Sequence, residues 1–119
     1  MKLLIVLFMI SIAFAAGDNL QSYSDKVNQS LPEVYDHITK LRTTSVQNNN
    51  FYFHFLVRAN QTEFSQFVPK VKAQVLKTIC SQSRGGTILK HYKSNLIYQY
   101  ENEKGQSLGE FMVQPSHCP

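Results

Sequence analysis

The two cysteines constrain this chain more than any other feature, because they bracket its last third. Cys80 and Cys118 are the only cysteines among the 119 residues. Between them, residues 96–101 and 106–113 form two β-like runs on either side of a turn at 102–105. This pattern predicts a β-hairpin. A disulfide would fasten the hairpin to the element that carries Cys80.

The first sixteen residues have the pattern of a secretory signal peptide. Lys2 is followed by an apolar run at 3–14, and Ala13-Phe14-Ala15 fits a small-x-small cleavage site. The run is shorter than the roughly 20 residues that span a bilayer. We expect cleavage near Ala15 or Ala16, no transmembrane segment afterwards, and a periplasmic or secreted product. In such a compartment one disulfide is favoured over a metal site.

The mature chain is expected to be one small domain, residues 17–119. Loss of Lys2 leaves eleven basic against eight acidic side chains, a formal charge of +3. That mildly basic balance says little about partners. A Cys80–Cys118 bond would stabilise so small a domain by about 3–4 kcal/mol in the chain-entropy model.

Hydrophobic spacing predicts a helix near the start and two strands after it. The helix is interrupted at Pro32, and residues 33–38 are predicted to form a turn or a helical turn. Residues 41–46 and 51–58 are predicted strands of a hairpin around the polar turn 47–50. The predicted helix face comprises Leu20, Tyr23, Val27 and Leu31, and one face of the second strand comprises Phe51, Phe53, Phe55 and Val57.

A longer helix is predicted to follow, with Thr62 as its N-cap. Apolar residues keep a 3.6-residue period as far as Ile79. Pro69 predicts a kink or a later start of the helix, and residues 84–86 are predicted to break it.

The order of these helices and strands along the chain predicts an α+β domain with a four-stranded antiparallel sheet made of two hairpins. Helices pack on one face, and the disulfide joins the main helix to the end of the last strand.

Catalysis is not predicted, and neither is a metal or cofactor. The chain lacks a Gly-rich phosphate loop and a nucleophile elbow, and two oxidised cysteines leave no thiol. An enzyme would need a concave pocket that holds His54 or His91 beside Glu101 or Glu110. The four histidines are scattered without metal-ligand spacing: His37, His54, His91 and His117.

A basic segment is the first candidate for binding. No acidic residue occurs between Glu63 and Glu101. A positive patch there could bind an anionic envelope component or an acidic protein face. Export and the low net charge argue against nucleic acid. The alternative, which we favour, is a solvated surface with acidic partners on neighbouring elements. The candidate residues are Lys77, Arg84, Lys90 and Lys93.

Tyrosines are the second candidate. Tyr98 and Tyr100 could line an exposed sheet face together with Tyr52 and Tyr92, where tyrosine is an effective interaction anchor. The alternative, which we also favour, is that cross-strand tyrosine pairs stabilise the sheet.

The mature chain also resembles a group of small exported bacterial proteins that includes the quorum-sensing-regulated virulence factor type of pseudomonads. The resemblance implies a periplasmic or secreted α+β domain with one disulfide, and it supplies no catalytic residues. The pair Gly85-Gly86 departs from it, because a more continuous helix is expected there. The residues that carry it are the segment 27–32 with Asp36, Thr39 and Leu41, the strand 51–57, Pro69 and Cys80, and the hairpin from Tyr98 and Tyr100 through Gly105 to Cys118.

Together these features predict a non-enzymatic binding or accessory protein related to envelope function or virulence, with an unidentified protein or anionic envelope component as its partner. The alternative is an inhibitor of a secreted hydrolase, such as a protease or a lysozyme. Such an inhibitor would insert the turn 47–50 or the turn 102–105 into its target.

Overall fold

The structure, a computed structural model, describes residues 19–118. The predicted signal peptide, residues 1–16, lies outside the described residues. The elements in chain order are α1 (Leu20–Asn28), β1 (Glu33–Val34), β2 (Thr39–Gln47), β3 (Asn50–Val57), α2 (Gln61–Thr78), a 3₁₀ turn (Ile79–Ser81), α3 (Ser83–Gly86), a π-helical segment (Thr87–His91), β4 (Asn95–Glu101), β5 (Ser107–Val113) and a last 3₁₀ turn (Pro115–His117).

The strands form one mixed sheet in the order β1-β2-β3-β4-β5. Both predicted hairpins are present, but the prediction of four antiparallel strands is wrong. The segment predicted to be a turn or helical turn contains β1, which pairs with β2. In addition, β3 and β4 are parallel. Residues 58–94 contain a long helix, and such a crossover lets the next strand run in the same direction as the last.

The alternating residues of β3 identify the core. Phe51, Phe53, Phe55 and Val57 are at most 3% exposed, while the residues between them are only half-buried. Leu96, Tyr98 and Tyr100 continue this buried face on β4, and Phe111 and Val113 continue it on β5. The contacts of α1 and α2 are with this face. The prediction that helices pack on one face of an α+β sheet is confirmed.

Helix α1 is joined to the sheet by buried polar contacts. Asn28 Oδ1 accepts a hydrogen bond from the Thr44 backbone N–H at 2.7 Å, and its Nδ2 donates to the Thr44 carbonyl at 3.0 Å. The hydroxyls of Ser24 and Thr44 lie 2.7 Å apart. A bulge at Arg42 shifts the register between Leu41 and Thr43, which turns Thr44 toward the helix. The helix ends at Asn28, so Leu31 lies outside it.

Helix α2 begins two residues earlier than predicted. Asn60, not Thr62, is the N-cap. Its side chain accepts from the Glu63 backbone N–H, while the Glu63 carboxylate accepts from the Asn60 N–H. This reciprocal pair is a capping box, and the Asn-x-x-Glu spacing is visible in the sequence. The helix continues through Pro69 to Thr78.

Residues 84–86 do not break the helical region as predicted, because they lie within α3. The two glycines are needed for packing. A Cβ on Gly85 would overlap the Ile79 side chain, and one on Gly86 would approach the Cys80 carbonyl oxygen to 3.0 Å. The backbone of α3 can therefore fold tightly against the end of α2.

Cys80 and Cys118 form a disulfide with a sequence separation of 38 residues. The bond joins the turn after α2 to the segment after β5. Beside it, His117 Nε2 lies 2.6 Å from the Leu76 carbonyl oxygen. Over residues 19–118, no helix is both long enough and apolar enough to span a membrane.

Candidate functional site

A groove on the helix side of the sheet is the best candidate for a binding site. We call it the α2 groove; it lies between α2 and the chain around β1 and has a volume of about 410 Å³. Phe53 and Tyr98 form its floor, and Val75 of α2 forms one wall. The remaining lining residues are Glu33, Tyr35, Gln82, Ser83 and Arg84.

Tyr35 gives the groove an apolar rim. Its side chain is half exposed (50%). The ring packs edge-on against Phe55 at 5.3 Å between centroids. Partial burial raises the pKa of Tyr35, the Glu33 carboxylate raises it further, and Arg84 partly opposes both. The phenol is therefore neutral at physiological pH, with an apolar ring and a hydrogen-bonding oxygen at the mouth of the groove.

Arg84 is the polar centre of the groove. Its Nη2 lies 3.1 Å from Glu33 Oε2 and 3.3 Å from Ser30 Oγ. The guanidinium therefore connects α3 to the chain before β2, across the end of the groove. Both charged side chains are partly exposed. An incoming carboxylate can therefore compete for Arg84, and an incoming amide N–H can donate to Glu33.

Of the predicted binding residues, only Arg84 and Tyr98 meet in this groove. Lys77 is exposed in the last turn of α2, Lys90 is exposed at the end of the π-helical segment, and Lys93 is exposed in the turn before β4. Lys93 has φ of 54°. Arg84 has an acidic partner from a neighbouring element, as the solvated-surface interpretation expects. Binding by the three lysines stays a prediction.

Tyr98 and Tyr100 do not lie on an exposed sheet face. They are 5% and 4% exposed and pack in the core. The ring of Tyr98 is 4.8 Å from that of Phe111, and the ring of Tyr100 is 5.0 Å from that of Phe55. Burial raises the pKa of both phenols well above the usual range, and neighbouring tyrosines add to the effect. Tyr98 can reach a ligand only through the floor of the α2 groove.

The structure does bring His54 and Glu101 to one shallow concavity of about 210 Å³ on the opposite side of the sheet. Each side chain already has a partner. His54 Nε2 lies 2.7 Å from Ser45 Oγ, and Glu101 Oε1 lies 2.7 Å from Arg42 Nη2. Within the part of the chain that the structure describes, no three His, Cys, Asp or Glu side chains are grouped as metal ligands would be.

The two turns that an inhibitor could insert into a hydrolase are short, and side-chain hydrogen bonds stabilise both. Asn49 Nδ2 donates to the Lys93 carbonyl, and Asn49 Oδ1 accepts from Ser94. In the other turn, Asn102 Oδ1 accepts from the backbone N–H groups of Lys104 and Gln106. The Asn49 bonds hold the turn 47–50 against the segment before β4, which does not favour a protruding wedge. The Asn102 bonds stabilise the turn 102–105 internally.

Sequence reasoning missed the rim of the groove. Glu33 and Tyr35 lie in the segment that was predicted to be a turn or a helical turn. One signal was available: Val34 and Tyr35 are large apolar residues in an otherwise polar stretch after Pro32. That Glu33 and Tyr35 lie on the helix side of the sheet depends on the pairing of β1 with β2, which nothing local in the sequence specifies.

Comparison with known proteins identifies the fold. No family model matches the chain, and no curated protein matches it. A solved structure of a Pseudomonas aeruginosa protein described as secreted matches with a TM-score of 0.71 and 18% identity, over 84% of this chain and 89% of that one.

Two solved pilotins of type II secretion systems also share the fold. EpsS from Vibrio vulnificus has a TM-score of 0.62 and 14% identity, over 83% of this chain and 87% of its own. AspS from Vibrio cholerae has a TM-score of 0.59 and 14% identity, over 82% of this chain and 87% of its own. At such low identities the likeness establishes a common fold.

Proposed function

We propose that this protein is a non-enzymatic accessory protein of the bacterial envelope, similar in role to the pilotins. In this proposal it binds an apolar segment of a protein partner in the α2 groove. The observation that carries it is the half-exposed ring of Tyr35 above an aromatic floor of Phe53 and Tyr98. Grooves of this kind bind an amphipathic helix or an extended peptide through a few apolar anchors.

Three further observations support the proposal. The chain shares its fold with two type II secretion pilotins and with a protein described as secreted. Its N-terminal sequence predicts export to the periplasm or beyond. In addition, the Arg84–Glu33 pair at the end of the groove offers a donor and an acceptor that can orient a bound segment. A role in virulence, as the pseudomonad resemblance implies, would be one consequence of such envelope function.

Site-specific photo-crosslinking tests the proposal. A photoreactive amino acid is placed at Tyr35 or at Ser83, which line the groove, and at Lys70 or Lys104 as controls on exposed surfaces elsewhere. The oxidised protein is then irradiated with envelope extract of the source bacterium. We expect one and the same protein adduct from both groove positions and not from the controls. Adducts that form equally from all four positions would contradict a groove-specific partner.

A matched pair of tyrosine variants measures the contribution of the groove. Tyr35→Ala removes the exposed rim, and we expect the affinity for the cross-linked partner to fall by at least about tenfold, as for an aromatic interface anchor. Tyr52→Ala removes a tyrosine on the opposite side of the sheet and should leave that affinity unchanged. Equal losses in both variants would point to a general effect on folding instead of a site.

A further inference from the structure

The two ends of the sheet differ in charge. Strands β2 and β5 finish at one end, where β3 and β4 begin and α2 also finishes. We call it the basic end and define it by the connections 48–49, 79–94 and 114–118 together with residues 75–78, the last turn of α2. These segments contain no Asp or Glu. Their basic side chains are Lys77, Arg84, Lys90, His91, Lys93 and His117.

Three lysines give the basic end its uncompensated charge. Lys77, Lys90 and Lys93 are exposed. The salt bridges found within residues 19–118 involve arginines, and none includes one of these three lysines. Arg84 differs from them, because the Glu33 carboxylate lies 3.1 Å away. The solvated-surface interpretation expects acidic neighbours for a basic segment, and in the described chain the three lysines have none at ion-pair distance.

The opposite end of the sheet carries as many acidic as basic residues. Two pairs are in contact there, Arg42 with Glu101 at 2.7 Å and Arg58 with Glu103 at 3.8 Å. The charged residues of that end are Asp36, Lys40, Arg42, Arg58, Glu63, Glu101, Glu103 and Lys104. Between the two ends, three lysines are matched by three acidic residues: Lys26, Lys70 and Lys72 by Asp25, Glu33 and Glu110. The net positive charge of residues 19–118 therefore comes from the basic end.

Lys93 is presented from a fixed backbone. Its φ of 54° lies in the left-handed region, which is uncommon for residues other than Gly, Asn and Asp. Asn49 Nδ2 donates to the Lys93 carbonyl at 3.1 Å, and the hydroxyl of the buried Ser94 donates to Asn49 Oδ1 at 2.9 Å. These bonds order the turn before β4 in the free protein, so less conformational entropy is lost when the lysine binds a partner.

The chain enters the described fold at the basic end. The ring of Tyr23, in the first half of α1, lies 5.2 Å from that of Tyr92, in the connection before β4. Asn28 at the end of α1 instead bonds to Thr44, which lies within β2. Helix α1 therefore begins near the basic end and runs toward the middle of the sheet. The apolar run 3–14, which predicts a secretory signal peptide, precedes this start.

We propose that the basic end docks on a membrane surface rich in anionic phospholipid. A signal peptide lies in the membrane during export, and the chain that follows it enters the fold at the end with the net positive charge. A negative lipid surface attracts lysines that lie within a Debye length of it. Three lysines give a weak and reversible contact. The α2 groove opens on the helix side of the sheet, and membrane docking does not depend on its having a partner.

Vesicle co-sedimentation of the oxidised mature chain tests the proposal. Vesicles of phosphatidylcholine are compared at low ionic strength with vesicles of equal parts phosphatidylcholine and phosphatidylglycerol. We expect binding to the anionic vesicles only, and a decline as the ionic strength rises to about 0.15 M, where the Debye length is about 8 Å. Equal binding to both kinds of vesicle overturns the proposal, as does binding to neither. Release by an excess of free glycerol phosphate at matched ionic strength also overturns it, since the lysines would then bind a soluble phosphate.

A matched pair of triple variants tests where the contact lies. The test variant is Lys77→Gln/Lys90→Gln/Lys93→Gln, and the control variant, with the same net charge, is Lys40→Gln/Lys70→Gln/Lys104→Gln. The test variant should lower the partition coefficient into anionic vesicles about a hundredfold, and each of its single variants about fivefold, because each lysine near such a surface contributes about that factor. The control variant should stay within a few-fold of the unmodified chain. Circular dichroism checks that both variants fold. Equal losses in both would assign the binding to net charge and overturn docking through the basic end.

Discussion

At the scale of single residues, the two core tyrosines make the fold sensitive to alkaline pH. Tyr98 and Tyr100 have pKa values raised by burial in the native state, whereas an unfolded tyrosine titrates near its ordinary value of about 10. Above that pH the unfolded state loses protons that the native state keeps. The free energy of unfolding is therefore unaffected below about pH 10 and falls as the pH rises beyond it.

We expect each tyrosine to contribute a loss approaching about 1.4 kcal/mol per pH unit above pH 10. Urea unfolding at a series of pH values between 9 and 11.5 measures it. Tyr100→Phe has no proton to lose at this position, so its stability should decline less steeply than that of the unmodified chain. Parallel curves for the two proteins would show that Tyr100 ionises as easily in the native state as in the unfolded one.

At the scale of elements, the disulfide is the strongest single constraint. It closes a loop with a sequence separation of 38 residues, which corresponds to about 3–4 kcal/mol in the chain-entropy model. We expect the Cys80→Ser/Cys118→Ser variant to lose a free energy of unfolding of that size at neutral pH. Equilibrium urea denaturation of both proteins measures the difference, with fluorescence and circular dichroism as two independent probes.

The variant Thr78→Ser is a suitable control, because it is a small change in the same region and keeps the hydroxyl that donates to the Gln74 carbonyl. Its stability should stay close to that of the unmodified chain. If the double serine variant were equally stable, the covalent bond would add nothing to the contacts around Ile79 and His117.

The elements that the sequence predicts well are those with a strong local pattern. The predicted face of Phe51, Phe53, Phe55 and Val57 is the buried one, and burial alternates along β3 without exception. Helix α2 was found by its period, although its start was placed at Thr62. The capping box of Asn60 and Glu63 fixes that start, and its spacing could have been recognised.

The parts that were missed depend on contacts between distant residues. The two residues of β1 carry too short a pattern to predict a strand, and they are defined by pairing with Leu41 and Lys40. Gly85 and Gly86 look like a helix break in the sequence, yet close packing on Ile79 and Cys80 makes them part of a helix. The α2 groove was missed for the same reason, since its rim is formed by the segment around β1.

At the scale of the whole molecule, the crossover determines how the two sides of the sheet can be used. The connection 58–94 returns over one face to start β4 beside β3 in the same direction. Helices α2 and α3 therefore lie on that side and form the α2 groove with the chain around β1. The other side carries the half-buried residues that alternate with the core residues along β3. A hairpin-only sheet, as first predicted, would not require this asymmetry.

The same topology predicts an order of local stability that hydrogen exchange can measure. The central strands β3 and β4 have a paired strand on each side and bury their helix-side residues almost completely. We expect their amides to exchange only by global unfolding, with free energies close to that of the whole protein. The two-residue strand β1 at the edge should exchange by local opening at a much lower free energy.

Binding of a partner should change the amide exchange rates of only some of these strands, and the same experiment measures that change. A partner in the α2 groove contacts the chain around Tyr35, so it should slow exchange next to β1 and leave the β3 and β4 amides unchanged. Exchange rates for β1 as slow as those of β3 in the free protein would contradict the predicted order. In that case the segment around β1 would be a rigid part of the fold, and a bound segment would have to fit the groove as it stands.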